Sequence, residues 1–402
     1  LGLAKIDRFQ ISNQGQAGWR IDNVYSWYGD NALPEILLEV ENEPDLMHPD
    51  SVKPRWWMPT GQAFTMGGQV AFDNYFRLYQ VWADAVADFT QADPRPMLIA
   101  GPAASAGTFV NNYPINWFTL MAEDSEATGT RLDMLTMHFY GENGKIAGRP
   151  TPRFPAFGTQ LESLKEGAVH LADRGPIKVG ITEWGPSYNV TGDLTSPGRI
   201  NGNTIGAAWA ASFVIEMLDT GVDAAVMLVY QNFLKNGSTE ENHTWPAFYT
   251  KDGQFPRPLY NLARMFQEMP GVRCPVDFLP AQGAGAGAYA TTGGPEEMAV
   301  MIYNYDWSFT QGPSYSVLRR GLVYLEGGEA DATYDATPWV IDATRGNSGQ
   351  YCENGDPIQM AGSALVAGDP IAVTASAEGT IRLPAFDLPP SSVTLWKLTK
   401  QQ

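Results

Sequence analysis

Two short stretches carry the residues best suited to chemistry. "LLEVENEPD" (residues 37–45) ends an apolar run with Glu43, set between Asn42 and Pro44, and "VGITEWGPS" (residues 179–187) ends another with Glu183, followed by Trp184. A chain keeps carboxylates out of apolar strands unless they are paired or hydrogen-bonded, because burying a charge is costly. One such glutamate would ordinarily be a surface or salt-bridged carboxylate. Two in matching positions suggest more. The pair is too far apart in sequence for local contact, but in a parallel barrel both would project from the C-terminal rim. Two carboxyls across a cleft are the minimum kit for cleaving a glycosidic bond: one protonates the leaving oxygen, and the other, ionised, attacks the sugar or activates water.

Other chemistries find less support. The four histidines, His48, His138, His170 and His243, show no metal-ligand spacing, and neither GxSxG nor a P-loop is present. The "GAGAGA" run at 283–288 matches a relaxed dinucleotide fingerprint, but strand-like sequence follows it rather than a helix. No metal and no cofactor is expected.

The elements that must position the two glutamates are legible as apolar runs at 35–40, 97–100, 134–137, 179–182 and 224–229, which read as strands buried on both faces. Helical periodicity fills the intervals. Phe72, Tyr75, Phe76, Tyr79, Trp82, Val86 and Phe89 form one stripe; 161–171, 209–217 and 259–266 carry others. Strand–helix alternation argues for a parallel sheet. Functional-looking residues just past strand ends favour a β/α barrel over a doubly wound sheet. Near residue 270 the pattern changes to Gly- and Pro-rich sequence with short apolar runs, which reads as an all-β sandwich. The expected organisation is therefore a barrel domain over 1–270 and a sandwich over 271–402.

The 402 residues carry 26 Lys plus Arg against 44 Asp plus Glu, a formal charge of −18. That balance argues against a nucleic-acid footprint or docking on an anionic membrane, and it suits a neutral substrate. No run approaches the about 18 consecutive apolar residues a membrane span needs. The chain opens at Leu1, as after leader removal or in a fragment. Its two cysteines, Cys274 and Cys352, fit one disulfide in an exported (extracellular or periplasmic) protein, or equally two buried thiols in a cytoplasmic one.

In order along the chain, "NEPD" (42–45), "MHFYG" (137–141), "ITEWGPSY" (181–188), "YTKDGQFPRPLYNLARMF" (249–266) and "LPPSSVTLWKL" (388–398) resemble the clan A retaining glycoside hydrolases, and within them glycoside hydrolase family 39, the β-xylosidase and α-L-iduronidase type. The resemblance implies a (β/α)8 TIM barrel followed by a β-sandwich. It implies double displacement on an oligosaccharide or polysaccharide, with Glu43 as acid/base, Glu183 as nucleophile and Asn42 on the sugar 2-hydroxyl. The carboxyls of a retaining enzyme stand about 5–5.5 Å apart. His138 and Tyr140 would hold the nucleophile by hydrogen bonding, and Trp184 and Tyr230 would wall the sugar site, with Trp57 a further candidate. An endo-acting hydrolase of the same clan is the alternative within hydrolases. A catalytically silent carbohydrate-binding protein is the alternative outside them, and both intact glutamates argue against it.

Only about 40 residues precede Glu43, whereas three further β/α units would take about 100. Five strands are countable rather than eight, so a missing N-terminal segment or a second chain is expected to complete the barrel. Finally, period-two alternation would put Glu39, Glu41 and Glu43 on one strand face, with Glu39 a buried support. The role of Glu41 stays open between like-charge coupling to Glu43 and pairing with an arginine from the missing strands.

Overall fold

The computed structural model describes residues 36–46, 67–92, 97–105, 115–140, 155–170, 177–186, 202–227, 255–279, 285–305, 318–347 and 362–402. The strands β1 (Ile36–Glu39), β2 (Met97–Ala104), β3 (Met134–Tyr140), β4 (Lys178–Gly185) and β5 (Ala224–Met227) form one sheet in chain order. β1–β2 and β2–β3 pair parallel, with Ile36 opposite Met97 and Ala100 opposite Met134. Parallel strands need crossovers. Here these include helices α1 (Gln69–Ala92), α2 (Trp117–Thr128), α3 (Pro155–His170) and α4 (Thr204–Thr220). β3 is buried along its whole length, as a strand covered on both faces must be. Sequential strand order with covering helices makes this a parallel half-barrel sheet. The apolar runs marked all five strands and four of the five longer helices. Helix α2 has no long apolar stripe; it is fixed at its ends by the Asn116 side chain, which accepts from Phe118 N and Thr119 N, and by left-handed Gly129.

The chain groups into two compact units. The first comprises residues 1–138 and 159–182; the second comprises 139–158 and 183–402. In the first, α1 presents Phe72, Tyr75 and Tyr79, all fully buried, and Trp117 lies edge-on to Phe72 with centroids 5.3 Å apart. The Tyr75 hydroxyl donates to Val40 O at 3.2 Å, where the chain leaves β1. Only glycine fits at position 101, because a Cβ there would collide with that hydroxyl.

In the second unit, α5 (Pro258–Gln267) is the last helix among the described residues; strands follow. β6 (Val272–Cys274), β7 (Ala286–Thr292), β8 (Glu297–Asn304), β11 (Thr333–Ile341), β12 (Ile371–Thr374) and β15 (Ser392–Lys400) form an antiparallel sheet in the order β12-β11-β15-β8-β7-β6. Two short ribbons pair β9 (Arg319–Gly321) with β14 (Phe386–Leu388), and β10 (Tyr324–Leu325) with β13 (Ile381–Arg382). Val300, Ile302, Tyr334, Trp396 and Leu398 of the sheet share a core with Ile381, Leu383 and Leu388. The expected sandwich is thus one six-stranded sheet faced by ribbons. The Gly-Ala run leads into β7, where Gly287 lets the Tyr303 ring lie against the backbone. α4 packs against β7, β8 and β15. Asn261 of α5 donates to Gly346 O at 2.9 Å and Ser363 O at 2.7 Å. Residue 270 therefore marks a change in element type, while packing carries both helices across it. Cys274 is half-buried, and Cys352 lies outside the described residues.

Candidate active site

Glu43 is placed by irregular backbone. β1 ends at Glu39, and both Glu41 (φ 66°) and Glu43 (φ 47°) take left-handed conformations. The alternation expected through Glu39, Glu41 and Glu43 therefore stops at Glu39, and the three do not share a strand face. A left-handed residue with a side chain crowds its Cβ against the following carbonyl, at roughly 1–2 kcal/mol each. Several bonds hold the turn. Val40 N donates to Ala100 O and Glu43 N to Ala103 O, both at 3.1 Å. Ala103 N in turn donates to the Thr136 hydroxyl of β3 at 3.1 Å. Pro44, Asp45 and Leu46 form a single 3-10 turn, closed by Leu46 N on Glu43 O.

The Glu43 side chain, 23% exposed, meets fully buried His138, with Oε1 and Nδ1 3.1 Å apart. His138 was expected beside the nucleophile; its partner is the other glutamate. Imidazole can serve a carboxyl in either state, donating from Nδ1–H to the ionised form or accepting from the protonated one. Asn42 is half-buried, and its backbone N–H donates to Glu41 Oε2 at 3.3 Å.

Asp45 had no role in the sequence reading. It is fully buried; Ser105 N donates to its Oδ1 at 2.9 Å and the Ser105 hydroxyl to its Oδ2 at 2.8 Å. Burial pushes its carboxyl up to about 7, against the two hydrogen bonds from Ser105, with the Glu43 charge adding to the rise. The quoted "NEPD" contained it, but no pattern marked Ser105.

Glu183 is placed by regular backbone. It stands half-buried within β4, and the Tyr140 hydroxyl of β3 donates to its Oε1. Trp184 is the next residue in the strand, so its side chain takes the opposite face. The ring is buried against Phe213 (centroids 5.3 Å apart) and Trp209 (6.3 Å) of α4, which stack on each other at 4.9 Å. This packing accounts for Trp184 as a core residue backing the strand that carries Glu183, in place of the sugar wall expected of it. Asn203 caps α4, its side chain accepting from Ile205 N and Gly206 N. Tyr230 and Trp57 lie outside the described residues.

No protein-family model and no curated protein sequence matches the chain. Solved structures do. The fold is similar to that of a monomeric β-xylosidase from Caulobacter crescentus, with a TM-score of 0.65 at 16% identity over 90% of this chain and 69% of that one. It is similar to a glycoside hydrolase family 39 enzyme from Xanthomonas axonopodis pv. citri, with a TM-score of 0.60 at 14% identity over 90% and 67%. It is also similar to a bacterial orthologue of human α-L-iduronidase, with a TM-score of 0.60 at 15% identity over 90% and 61%. The chain thus has the fold of these glycoside hydrolases and spans about two thirds of their length.

Proposed function

We propose that this chain carries the catalytic carboxylates of a retaining glycoside hydrolase, β-xylosidase-like in substrate, within a (β/α)8 barrel completed by further strands. The observation that carries the reading is that each candidate carboxylate stands at or just past a strand end and is hydrogen-bonded to a polar side chain of its own unit, Glu43 to His138 and Glu183 to Tyr140. Similarity of fold to glycoside hydrolases supports it. In this reading Glu183 attacks the anomeric carbon while Glu43 donates its proton to the leaving oxygen. Water, deprotonated by Glu43, then releases the sugar. Tyr140 donates to Oε1 of Glu183 and orients the carboxylate for attack. His138 holds Glu43 by Oε1, leaving Oε2 to carry the proton.

A screen of aryl xylosides, glucosides, galactosides, arabinosides and iduronides finds the sugar, and NMR of the first-formed anomer reads the stereochemistry. Retention is expected; inversion would overturn double displacement. Glu183→Ala should cost roughly 10⁵-fold in kcat, with partial rescue by azide. Near-wild-type turnover in Glu183→Ala and Glu43→Ala would remove the assignment.

A further inference from the structure

Glu43 must present its carboxyl while its own backbone sits in a conformation that L residues avoid. Such strain persists only where the surroundings over-determine it. The bond from Glu43 N to Ala103 O fixes the start of the turn. Two residues on, Asp45 spends a fully buried carboxyl on one residue, Ser105, whose backbone N–H and hydroxyl both donate to it. A buried carboxyl is a costly fastener. An apolar side chain would fill the space without that cost, but it would not fix the register between the turn and the end of β2. Ala103, itself left-handed (φ 51°), accepts from Glu43 N and donates to Thr136, so the same stretch of β2 is tied to β3, which carries His138. The turn is therefore held at both ends, and the Glu43 carboxyl is the projecting part between them.

We propose that Asp45 and Ser105 are positioning residues for the acid/base carboxyl of Glu43, and that they act on proton donation to the leaving group rather than on sugar binding. The inference rests on the assignment of Glu43 as acid/base. Misplacing a catalytic group by about 1 Å can cost 10²-fold. In kcat/KM, which reports glycosylation and not the base-assisted step after it, that cost appears only where the leaving group needs the proton. A dinitrophenolate leaves unaided; a phenolate does not.

The test uses full-length protein with the 2,4-dinitrophenyl and phenyl glycosides of whichever sugar the wild type turns over. Asp45→Ala and Ser105→Ala should lower kcat/KM on the phenyl glycoside by about 10–10²-fold and leave kcat/KM on the dinitrophenyl glycoside within a few-fold; kcat on the dinitrophenyl glycoside, limited by the later step in which Glu43 is the base, should fall together with KM. Asp45→Asn should keep most activity on both. Its amide oxygen accepts from Ser105 N, and its NH₂ donates to the Ser105 hydroxyl. Equal losses of kcat/KM on both glycosides, or an Asp45→Asn variant as impaired as Asp45→Ala, would overturn the inference. Should Asp45→Ala fail to fold, Ser105→Ala and Asp45→Asn decide alone. Glu43→Ala separates the two levels. A leaving-group-dependent loss there, without one in the Asp45 and Ser105 variants, sinks only the positioning role. If Glu43→Ala shows no such dependence, or the wild type turns over none of the glycosides, the acid/base assignment falls and this inference with it.

Discussion

The two glutamates are held by opposite means. Glu183 sits in a regular strand, where the period-two geometry of β4 aims it and the Trp184, Trp209 and Phe213 rings pack the far side. Glu43 sits past a strand end, in a turn with two left-handed glutamates, tied down by a buried carboxyl and a histidine. One is positioned by apolar packing, which is indifferent to pH. The other is held through polar groups, one of which, Asp45, is a buried carboxyl whose pKa burial raises. The turn that carries Glu43 should therefore respond to pH where the packing behind β4 does not.

The largest expected effect tests that contrast. Asp45 is raised from 3.8 to about 7 in the folded chain. A carboxyl whose folded value lies above its unfolded one takes up a proton on folding. Its stabilising contribution is complete below about pH 4 and is lost as pH rises through about 7. A rise of that size corresponds to roughly 4 kcal/mol. Asp45→Asn, which mimics the protonated form, should match the wild type in Tm near pH 4 and exceed it by several degrees at pH 8. The gap should open across pH 5 to 7. A gap that stays constant with pH would mean that Asp45 titrates normally and that the contrast between the two supports is false.

A smaller effect compares the direct partners. Tyr140→Phe removes one hydroxyl that donates to Glu183. Hydrogen bonds to charged groups are worth about 1.5–3 kcal/mol, so kcat should fall roughly 10- to 150-fold. Since β4 itself still aims Glu183, Tm should change little. Steady-state kinetics on a dinitrophenyl glycoside, combined with thermal melts, check both. A loss of Tm without a loss of kcat would make Tyr140 a core residue only.

Legibility in the sequence follows the same division. Apolar runs marked all five parallel strands, and the end of β4 gave Glu183 its place, because regular strands and helices impose a period on the residues that fill them. The turn after β1 imposes none. Left-handed backbone at Glu41 and Glu43 leaves no periodic trace, so alternation runs four residues too far, from Glu39 to Glu43, and Ser105 could not be matched to Asp45 across 60 residues. That His138 lies beside a glutamate was legible, but not which one. Strand position says which rim a side chain reaches; it does not say which of two carboxylates lies beside it. Trp184 erred in the other direction. A tryptophan beside a catalytic-looking glutamate reads as a sugar platform, yet adjacency in a strand means opposite faces, and the aromatic stripe of α4 was there to receive it.

The smallest effect separates packing from capping within the same contrast. Asn203 and Asn116 cap helices in different units with the same pair of bonds, each side-chain oxygen accepting from two backbone N–H groups. Replacing a cap by alanine costs about 1 kcal/mol. Asn116, however, also donates through Nδ2 to the Ser163 hydroxyl at 2.5 Å, tying α2 to α3. Asn116→Ala should therefore destabilise by more than Asn203→Ala, by about one further neutral hydrogen bond, or ~1 kcal/mol. Denaturant melts of the two variants give the difference directly. Equal losses would show that the Ser163 bond adds nothing beyond the cap.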